Sequence, residues 1–454
     1  FSPRFGFNWD VNGANQTLVR GGIGIFTSRI PLVWPGGAFN NNGRVVGGDF
    51  TEDVQDGWFR PYSGFNPDWR NQPQAVAAGA GQPSGQIDLF ASDFKVPRIL
   101  KANLAVDQKL PWGLLLSLEG IFNQTLQGVG YQNLNLKPST ENLEGTGDDR
   151  PLFNRFDPVD PTYSRILLGY NVQQGYTYNL SVALTKPFDN GFSGTVAYSY
   201  GDAFSVFEGT SSQNSSQWRG LHSIEGRNFD QRLARSDFSQ GHRVITGMSY
   251  AFDWNPERNA TTTISIFYEG ISGQPFSYVY SNGDDIQNED SRNRALIYVP
   301  QDANDIVLTD PSEWDALNTF IENDPYLSTR RGDYAERNSS RAPFTNVLDL
   351  KLIQDLRIYS GGKSHTLQLT ADIFNFTNLL NSNWGRRWFI PNSFEGFPIL
   401  NFDGFQEDGA GNATNIPTFS LNDIPADFPR TDLDDGGIQS SRWQAQFGIR
   451  YIFE

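Results

Sequence analysis

The stretch WQAQFGIRYIFE, residues 443–454, is the most informative part of this sequence for its fold class. Every odd position in it is apolar, and the even positions are mostly polar or glycine. A period of two places alternate side chains on opposite faces of a β-strand. The segment is therefore predicted to be a strand with one apolar and one polar face. Its aromatic residues gather at the two ends, as in strands that cross a bilayer.

Composition excludes several classes of protein. The 454 residues carry a net charge of -16, which argues against nucleic acid as a partner. Cysteine is absent, so disulfide frameworks, thiolate catalysis and cysteine-ligated metal sites are excluded. No run of about 18 apolar residues is present, so the sequence predicts no transmembrane helix.

The same alternation recurs along the chain. A clear example lies at 176–185, where Tyr178, Leu180 and Val182 alternate with Asn179 and Ser181. With the last strand, about 11 such segments are predicted. The connections between them alternate in length, which is typical of an outer-membrane barrel with short periplasmic turns and long extracellular loops. The short ones are Asp10–Gln16, Lys109–Trp112, Lys186–Gly191, Asp253–Ala260 and Tyr359–Lys363; the long ones are roughly 28–93, 125–164, 203–239, 272–341 and 377–439.

The predicted fold class is therefore all-β, a transmembrane antiparallel β-barrel in the bacterial outer membrane. An open sheet edge cannot face lipid, because its backbone groups would lack partners, and 11 is half of the 22 strands of plugged transporters. We therefore expect residues 1–454 to be the C-terminal part of a 22-stranded barrel, and the natural N-terminus to be missing. A second chain that supplies the other strands is the alternative.

Two sets of barrel residues follow from this pattern. Polar residues that alternate with the apolar ones should face the lumen, where they bond a plug or water: Arg20, Lys101, Asp107, Glu119, Asp349, Lys351, Gln368, Thr370, Asp372, Gln444, Gln446 and Arg450. Aromatic residues beside the short turns and in the last strand should form an interfacial girdle in contact with lipid: Trp9, Trp112, Phe188, Trp254, Tyr359, Tyr451 and Phe453.

Several segments together resemble one family. FSPRFGFNWD with TLVRGGIGIF, GYTYNLSVALTKPFDNGFSGTVAYSYGDA, RSDFSQGHRVITGMSYAF, ISGQPFSYVY and LQLTADIFNFTNLLN are similar to barrel strands of TonB-dependent outer-membrane receptors, nearest the Oar-like and SusC-like receptors of the Bacteroidota. The resemblance implies energy-coupled import, with a plug domain that TonB, ExbB and ExbD act upon. Neither the plug nor the TonB box matches any part of this sequence, and the final Glu454 replaces the usual terminal aromatic residue.

Catalysis and bound metals have little support in the sequence. The three histidines, His222, His242 and His365, show no zinc-binding spacing. GGIGIF at 21–26 is better explained as strand glycines than as a phosphate loop, because no helical pattern follows. We therefore predict no catalytic residue, no metal site and no cofactor.

The long loops should carry any specificity. Exposed aromatic residues there could contact a ligand or partner, or pack against their own loop: Trp58, Tyr62, Trp69, Trp384 and Trp388. Two acidic clusters could hold Ca²⁺, although a solvated acidic loop is the simpler interpretation: Asp284, Asp285, Glu289 and Asp290, and then Asp432, Asp434 and Asp435.

These observations favour a nutrient transporter for an oligosaccharide, a peptide or a chelated metal, and not an enzyme. A surface lipoprotein lid or another outer-membrane protein could bind the loops. The alternatives are a structural or adhesion barrel within an outer-membrane complex, and a soluble β-rich carbohydrate-active enzyme.

Overall fold

Eleven long strands, each antiparallel to its neighbours, form the main path of one large sheet and are here called the wall. The computed structural model describes residues 2–42, 54–55, 58–59, 68, 70, 85–255, 257, 259–281, 285–388, 390, 396–424, 428 and 441–453. In chain order the wall strands are β1 (Arg4–Asp10), β2 (Thr17–Thr27), β3 (Arg98–Lys109), β4 (Leu115–Asn133), β5 (Tyr176–Asp189), β6 (Phe192–Ser205), β7 (Gly241–Asp253), β8 (Ala260–Ile271), β9 (Thr345–Ser360), β10 (Lys363–Phe374) and β11 (Gln444–Phe453).

Each wall strand pairs with the next one along the chain, from β1 to β11. This order confirms the predicted strand number and the antiparallel class. It also confirms that GGIGIF belongs to a strand, since residues 21–26 lie inside β2. Among the described residues, β1 and β11 each pair on one side only. In the part of the chain that the structure describes, the wall therefore has two edges whose backbone groups lack a strand partner.

Register divides the wall into two faces. Ile264, Leu352, Ala371 and Phe447 form one row across four strands, and they are apolar and partly or largely exposed. One step along β9, Lys351 lies opposite Ser265, Asp372 and, through β10, Gln446. We call these the apolar face and the polar face. A face made mostly of exposed apolar side chains is what a sheet in contact with lipid requires.

Two of the short turns are built from residues that tolerate positive φ. Asn190 and Gly191 join β5 to β6 with φ of 49° and 84°, and Gly361 and Gly362 join β9 to β10 with φ of 62° and 77°. Two-residue turns with both φ values positive match the right-handed twist of antiparallel strands. The five short connections, at 11–16, 110–114, 190–191, 254–259 and 361–362, all lie at one end of the wall, called the turn end.

The five long connections lie at the opposite end, the loop end, at 28–97, 134–175, 206–240, 272–344 and 375–443. Their described parts contain further strands at Val54–Gln55, Trp58–Phe59, Gln86–Phe90, Glu141–Asn142, Pro151–Leu152, Arg165–Val172, Ala234–Arg235, Pro275–Tyr280, Tyr298–Val299, Asp333–Tyr334, Ser340–Arg341, Gly396–Glu407 and Ala413–Leu421. They also contain α-helices at Val33–Asn40, Asn214–Arg219, Trp314–Asn323 and Phe376–Leu380, and 3₁₀ turns at Pro311–Glu313 and Leu327–Thr329; a third 3₁₀ turn, Pro111–Gly113, is at the turn end.

The long connections pack together into a loop domain with its own core. We use loop domain for the described residues of the five long connections. Its largest cluster of buried apolar side chains includes Phe276, Tyr278, Ile297, Leu317 and Ile399. No helix within the described residues is both long enough and apolar enough to span a bilayer.

Candidate functional site: the loop domain and the polar face of the wall

The core of the loop domain is organised around the short strand Pro275–Tyr280, in which every residue is buried. This strand pairs in parallel with Gly396–Glu407 and antiparallel with Ser340–Arg341. A strand that is buried on both faces reads as a continuous apolar run and not as an alternating one. PFSYVY at 275–280 and FPILNF at 397–402 are such runs, and they are the signals that an alternation search overlooks.

A buried ionic cluster joins two of the long connections. The side chain of Arg227 is fully buried, and its Nη1 lies 3.1 Å from Asp285 Oδ2 and 3.0 Å from Glu289 Oε1. The backbone N–H of Arg227 donates to Glu289 Oε2 at 2.8 Å, and Arg227 Nη2 donates to the carbonyl of Arg292. The guanidinium also lies 5.4 Å from the ring of Trp218. These contacts hold residues 218–227 against residues 285–292.

A second part of the cluster surrounds Asp290. Its carboxylate accepts hydrogen bonds from Arg165 Nη2 at 2.5 Å and from Arg219 Nε, so it ties a third connection into the network. The neighbouring arginines lower the pKa of Asp290 to about 2 against the opposing effect of burial. Burial instead raises the pKa of Glu289 to about 8, because Arg227 must serve two fully buried carboxylates.

This geometry corrects the interpretation of Asp285, Glu289 and Asp290 as a solvated acidic loop. All three are buried, and their partners are arginines. Asp284 lies outside the described residues, as do Asp432, Asp434 and Asp435. Within the described part of the chain, no group of three acidic, histidine or cysteine side chains is arranged to hold a metal ion.

A second buried arginine, Arg150, contacts two aromatic rings of the loop domain. Arg150 Nε donates to Asp148 Oδ1 at 2.7 Å, and its guanidinium lies 5.3 Å and 4.9 Å from the rings of Tyr280 and Tyr334. The hydroxyl groups of both tyrosines donate to Asp148. Burial, followed by the nearby Asp148 charge, raises the pKa of Tyr280 and of Tyr334, so both rings stay neutral donors.

A cavity of about 300 Å³ opens between the loop domain and the loop end of β6. His222, Asp230, Arg235 and Arg337 are among its lining residues. Arg337 is buried and donates to the carbonyls of Ser205 and Val206, which anchors the loop domain to the wall. Asp230, Arg235 and Arg337 already form hydrogen bonds within the protein.

Register places all twelve residues predicted to face the lumen on the polar face: Arg20, Lys101, Asp107, Glu119, Asp349, Lys351, Gln368, Thr370, Asp372, Gln444, Gln446 and Arg450. Several of them form ion pairs or hydrogen bonds between strands. Arg20 Nε lies 2.9 Å from Asp107 Oδ2, and its Nη1 lies 3.5 Å from Glu119. Lys351 Nζ lies 2.7 Å from Asp372 Oδ1.

The residues proposed for an interfacial girdle all lie at the turn end, and all seven side chains are exposed: Trp9, Trp112, Phe188, Trp254, Tyr359, Tyr451 and Phe453. Tyr359 does not fit that proposal, because its side chain does not point to the apolar face. Tyr359 pairs with Ser364, and the apolar residues Leu356 and Ile358 point to the opposite face of β9. Strand alternation therefore places Tyr359 on the polar side.

The aromatic residues proposed to contact a ligand or partner separate into three groups. Tyr62 and Trp69 lie outside the described residues, and Trp58 is described only as part of a short strand. Trp388 packs partly against the core of the loop domain. Trp384 is 54% exposed and lines a separate pocket with Trp388 at the loop end of β8 and β9.

The comparison with protein families gives one match, which covers most of the chain. A family model described as "Outer membrane beta barrel domain" matches residues 1–385. The crystal structure of the outer membrane transporter YddB from Escherichia coli is similar, with a TM-score of 0.43 and 10% identity over 92% of this chain. The chain spans 39% of the length of that transporter. No curated protein sequence matches it.

Proposed function

This chain belongs to the outer-membrane β-barrel domain family and resides in the outer membrane, and from that premise we propose that it forms part of the wall of a TonB-dependent transporter. The proposal includes import of a nutrient such as an oligosaccharide, a peptide or a chelated metal. It includes the Bacteroidota assignment, which rests on the sequence resemblance alone. A soluble carbohydrate-active enzyme is set aside because the family is one of membrane barrels.

The observation that carries the transport proposal is the polar face of the wall. Arg20, Asp107 and Glu119 form a charged network across β2, β3 and β4, and Ser117 Oγ donates to Asp107. Large barrels enclose a polar lumen that is filled by water or by a plug. A ladder of charged side chains on the inner surface supplies the hydrogen-bond partners that such a plug would use.

The two wall edges support the proposal of a larger barrel. Within the described ranges, β1 and β11 each have one edge without a strand partner, and such backbone groups would be costly in lipid, where no water is present to satisfy them. We propose that further strands close the wall on both sides. Outer-membrane barrels place short turns in the periplasm, so the loop domain faces the exterior and meets substrate, a lipoprotein lid or another surface protein.

Uptake by cells tests this function. We expect deletion of the gene, and separately of TonB, to abolish accumulation of one labelled oligosaccharide, peptide or metal chelate from a panel. In the whole protein, the triple change Arg20→Ser, Asp107→Asn and Glu119→Gln should reduce uptake while the amount of protein in the membrane stays normal. The control is Lys137→Ser, which removes one charged side chain of an ion pair in the loop domain, away from the lumen. Normal uptake in all these strains would contradict a transport role.

A structural or adhesion barrel is the second candidate, favoured by exposed apolar residues on the loop domain. Phe156 is 77% exposed and Phe238 is 68% exposed. Exposed aromatic side chains of this kind are enriched where proteins bind each other. For this alternative we expect a surface protein that co-purifies with the wild type and is lost from Phe156→Ser or Phe238→Ser, while uptake stays normal.

A further inference from the structure

Another cavity lies within the loop domain, between the helix Val33–Asn40, the strand Gln86–Phe90 and the helix Asn214–Arg219. It has a volume of about 620 Å³, which is within the range of small-molecule sites. Its twelve described lining residues include five side-chain amides and one carboxylate, that of Asp88, but no lysine and no arginine. We call it the Asp88 pocket.

Three neutral amide groups hold the carboxylate of Asp88, which is only 2% exposed. Its Oδ2 accepts hydrogen bonds from Asn41 Nδ2 at 2.9 Å and from Asn214 Nδ2 at 3.1 Å. Its Oδ1 accepts one from Gln86 Nε2 at 2.5 Å. A carboxylate has about four acceptor positions, so Oδ1 retains one more. The amides therefore fix the position of the carboxylate without neutralising its charge.

Asp88 differs in this respect from the other buried acids of the protein. Seven acidic residues in the described part of the chain are buried. Six of the seven form an ion pair with an arginine: Asp148, Asp202, Asp230, Asp285, Glu289 and Asp290. Asp88, whose contacts are all with neutral donors, is the exception among them. Because a buried charge is costly unless it is paired, this carboxylate gains more than any of the others from a cation that a ligand supplies.

The backbone of the helix Val33–Asn40 passes close to this carboxylate at Gly37. A Cβ atom at Gly37 would lie 2.8 Å from Asp88 Oδ2 and 2.8 Å from Asn214 Nδ2, so an alanine would displace one of these polar groups. Asn214 is also held from the helix side, because its Nδ2 donates to the carbonyl of Trp34 at 3.0 Å. The carboxylate and its amide donors are therefore packed in place, as in a preformed site.

We infer that the Asp88 pocket binds the ammonium or guanidinium group of a ligand, such as the basic side chain of a peptide. The cation donates a charge-assisted hydrogen bond to Asp88. The apolar stem of such a side chain packs against Leu32 and Val33, which are 85% and 53% exposed. A metal ion is not the expected ligand, because one carboxylate is a poor ligand set for a hard cation. The inference concerns binding by the loop domain and holds whether or not the ligand is imported.

Titration of the intact protein in detergent with small probes tests this inference. Calorimetry compares Nα-acetyl-lysine amide and Nα-acetyl-arginine amide with Nα-acetyl-norleucine amide, whose side chain is uncharged. We expect the wild type to bind the two cationic probes about tenfold more tightly than the neutral one, because only they form a charge-assisted hydrogen bond. Asp88→Asn should remove that preference. Asp93→Asn, at an exposed acid of the same connection, is the matched control and should bind as the wild type does.

Two glycine variants test the pocket without removing its charge. Gly37→Ala should weaken binding of the lysine probe, whereas Gly85→Ala, where a Cβ atom meets nothing within 4 Å, should leave it unchanged. The lysine probe should also raise the thermal unfolding midpoint of the wild type but not that of Asp88→Asn. A purely structural Asp88 would change the midpoint of the free protein and leave the preference between probes intact.

Three results would overturn the inference. The first is equal binding of the charged and neutral probes by the wild type, and the second is an unchanged preference in Asp88→Asn. The third is displacement of the lysine probe by maltotriose, or by calcium chloride but not by sodium chloride of equal ionic strength, since the pocket would then be a sugar site or a metal site. These measurements use purified protein, so their outcome is separate from that of the uptake experiment.

Discussion

The wall and the loop domain use the same apolar residue types in opposite ways. Leu352 in β9 is 42% exposed and Phe447 in β11 is 79% exposed, yet Phe276 and Leu317 in the loop domain are each 1% exposed. The apolar side chains of the wall are exposed on a face suited to contact with lipid, whereas those of the loop domain are buried against other protein side chains. The charged groups differ as well. Arg20 and Lys351 on the polar face are partly exposed, whereas Arg227 and its two acidic partners in the loop domain are fully buried.

The largest expected effect comes from removing a buried charge of the loop domain. We expect Arg227→Met to destabilise the loop domain by about 3–5 kcal/mol, since Asp285 would remain buried without its cation and Glu289 without its hydrogen-bond partner. Limited proteolysis should then cut residues 206–240 and 285–344, while heat-modifiable mobility of the barrel stays normal. Loss of the barrel as well would show that the two regions are one cooperative unit.

A matched control is available in the exposed pair of Lys137 and Asp157, whose Nζ and Oδ1 lie 2.7 Å apart. Lys137→Met should change stability by less than about 1 kcal/mol, because both side chains remain hydrated. Equal protease sensitivity of the two variants would remove the distinction between buried and exposed charges in this domain.

The second expected effect tests the two faces of the wall with adjacent residues of one strand. Leu352 lies on the apolar face, and Ile353 lies opposite Thr263 and Thr370 on the polar face. We expect Leu352→Arg to cost about 2–4 kcal/mol if it lies near the middle of the bilayer, and Ile353→Arg to cost far less. The fraction of protein that reaches the folded membrane form measures the difference. A larger defect in Ile353→Arg would reverse the assigned faces.

The third effect is a pH dependence confined to the loop domain. The pKa of Glu289 is about 8 in the folded chain, compared with an ordinary value of 4.5. Between pH 4.5 and pH 8 its carboxyl group is therefore protonated in the folded state and ionised in the unfolded state. The stability from this group is complete below pH 4.5 and is lost as the pH rises toward 8, by at most about 1.4 kcal/mol per pH unit. The depressed pKa of Asp290 acts only below about pH 4.

Glu289→Gln isolates this group, since the amide stays neutral at every pH. We expect hydrogen exchange of residues 218–230 and 285–299 to accelerate in the wild type between pH 5 and pH 8, after correction for the intrinsic rate, and to change less in the variant. Exchange in β8 and β9 should show no such difference. Identical pH profiles of the variant and the wild type would contradict a protonated Glu289.

The sequence predicted the wall well because a single physical signal governs it. Alternation with a period of two identifies both the strand and the face of each residue, as in Lys351 and Leu352. Interruptions such as Ile353 on the polar face and Tyr359 beside the turn depend on register and could not be read from residue type. The short connections were predicted to within a few residues, since Asn190–Gly191 and Gly361–Gly362 are local turn signals.

The loop domain could not be predicted in the same way. Its core joins residues that are far apart in the chain, as in the parallel pairing of Tyr278 with Phe397. The acidic segment 284–290 looked solvated because its partners, Arg165, Arg219 and Arg227, lie in two other connections. A continuous apolar run such as PFSYVY predicts burial but does not identify the strand it pairs with. The ionic cluster likewise became visible only in three dimensions.

The smallest expected effect concerns an ion pair of the polar face. Lys351 Nζ and Asp372 Oδ1 are 2.7 Å apart, closer than Arg227 and its partners, but the Lys351 side chain is 44% exposed. Hydration weakens such a pair, so a double-mutant cycle with Lys351→Met and Asp372→Asn should give a coupling of about 0.2–1 kcal/mol. Urea unfolding from lipid vesicles measures it. A coupling of several kcal/mol would mean that this pair is dry, and that the polar face is covered by protein and not by water.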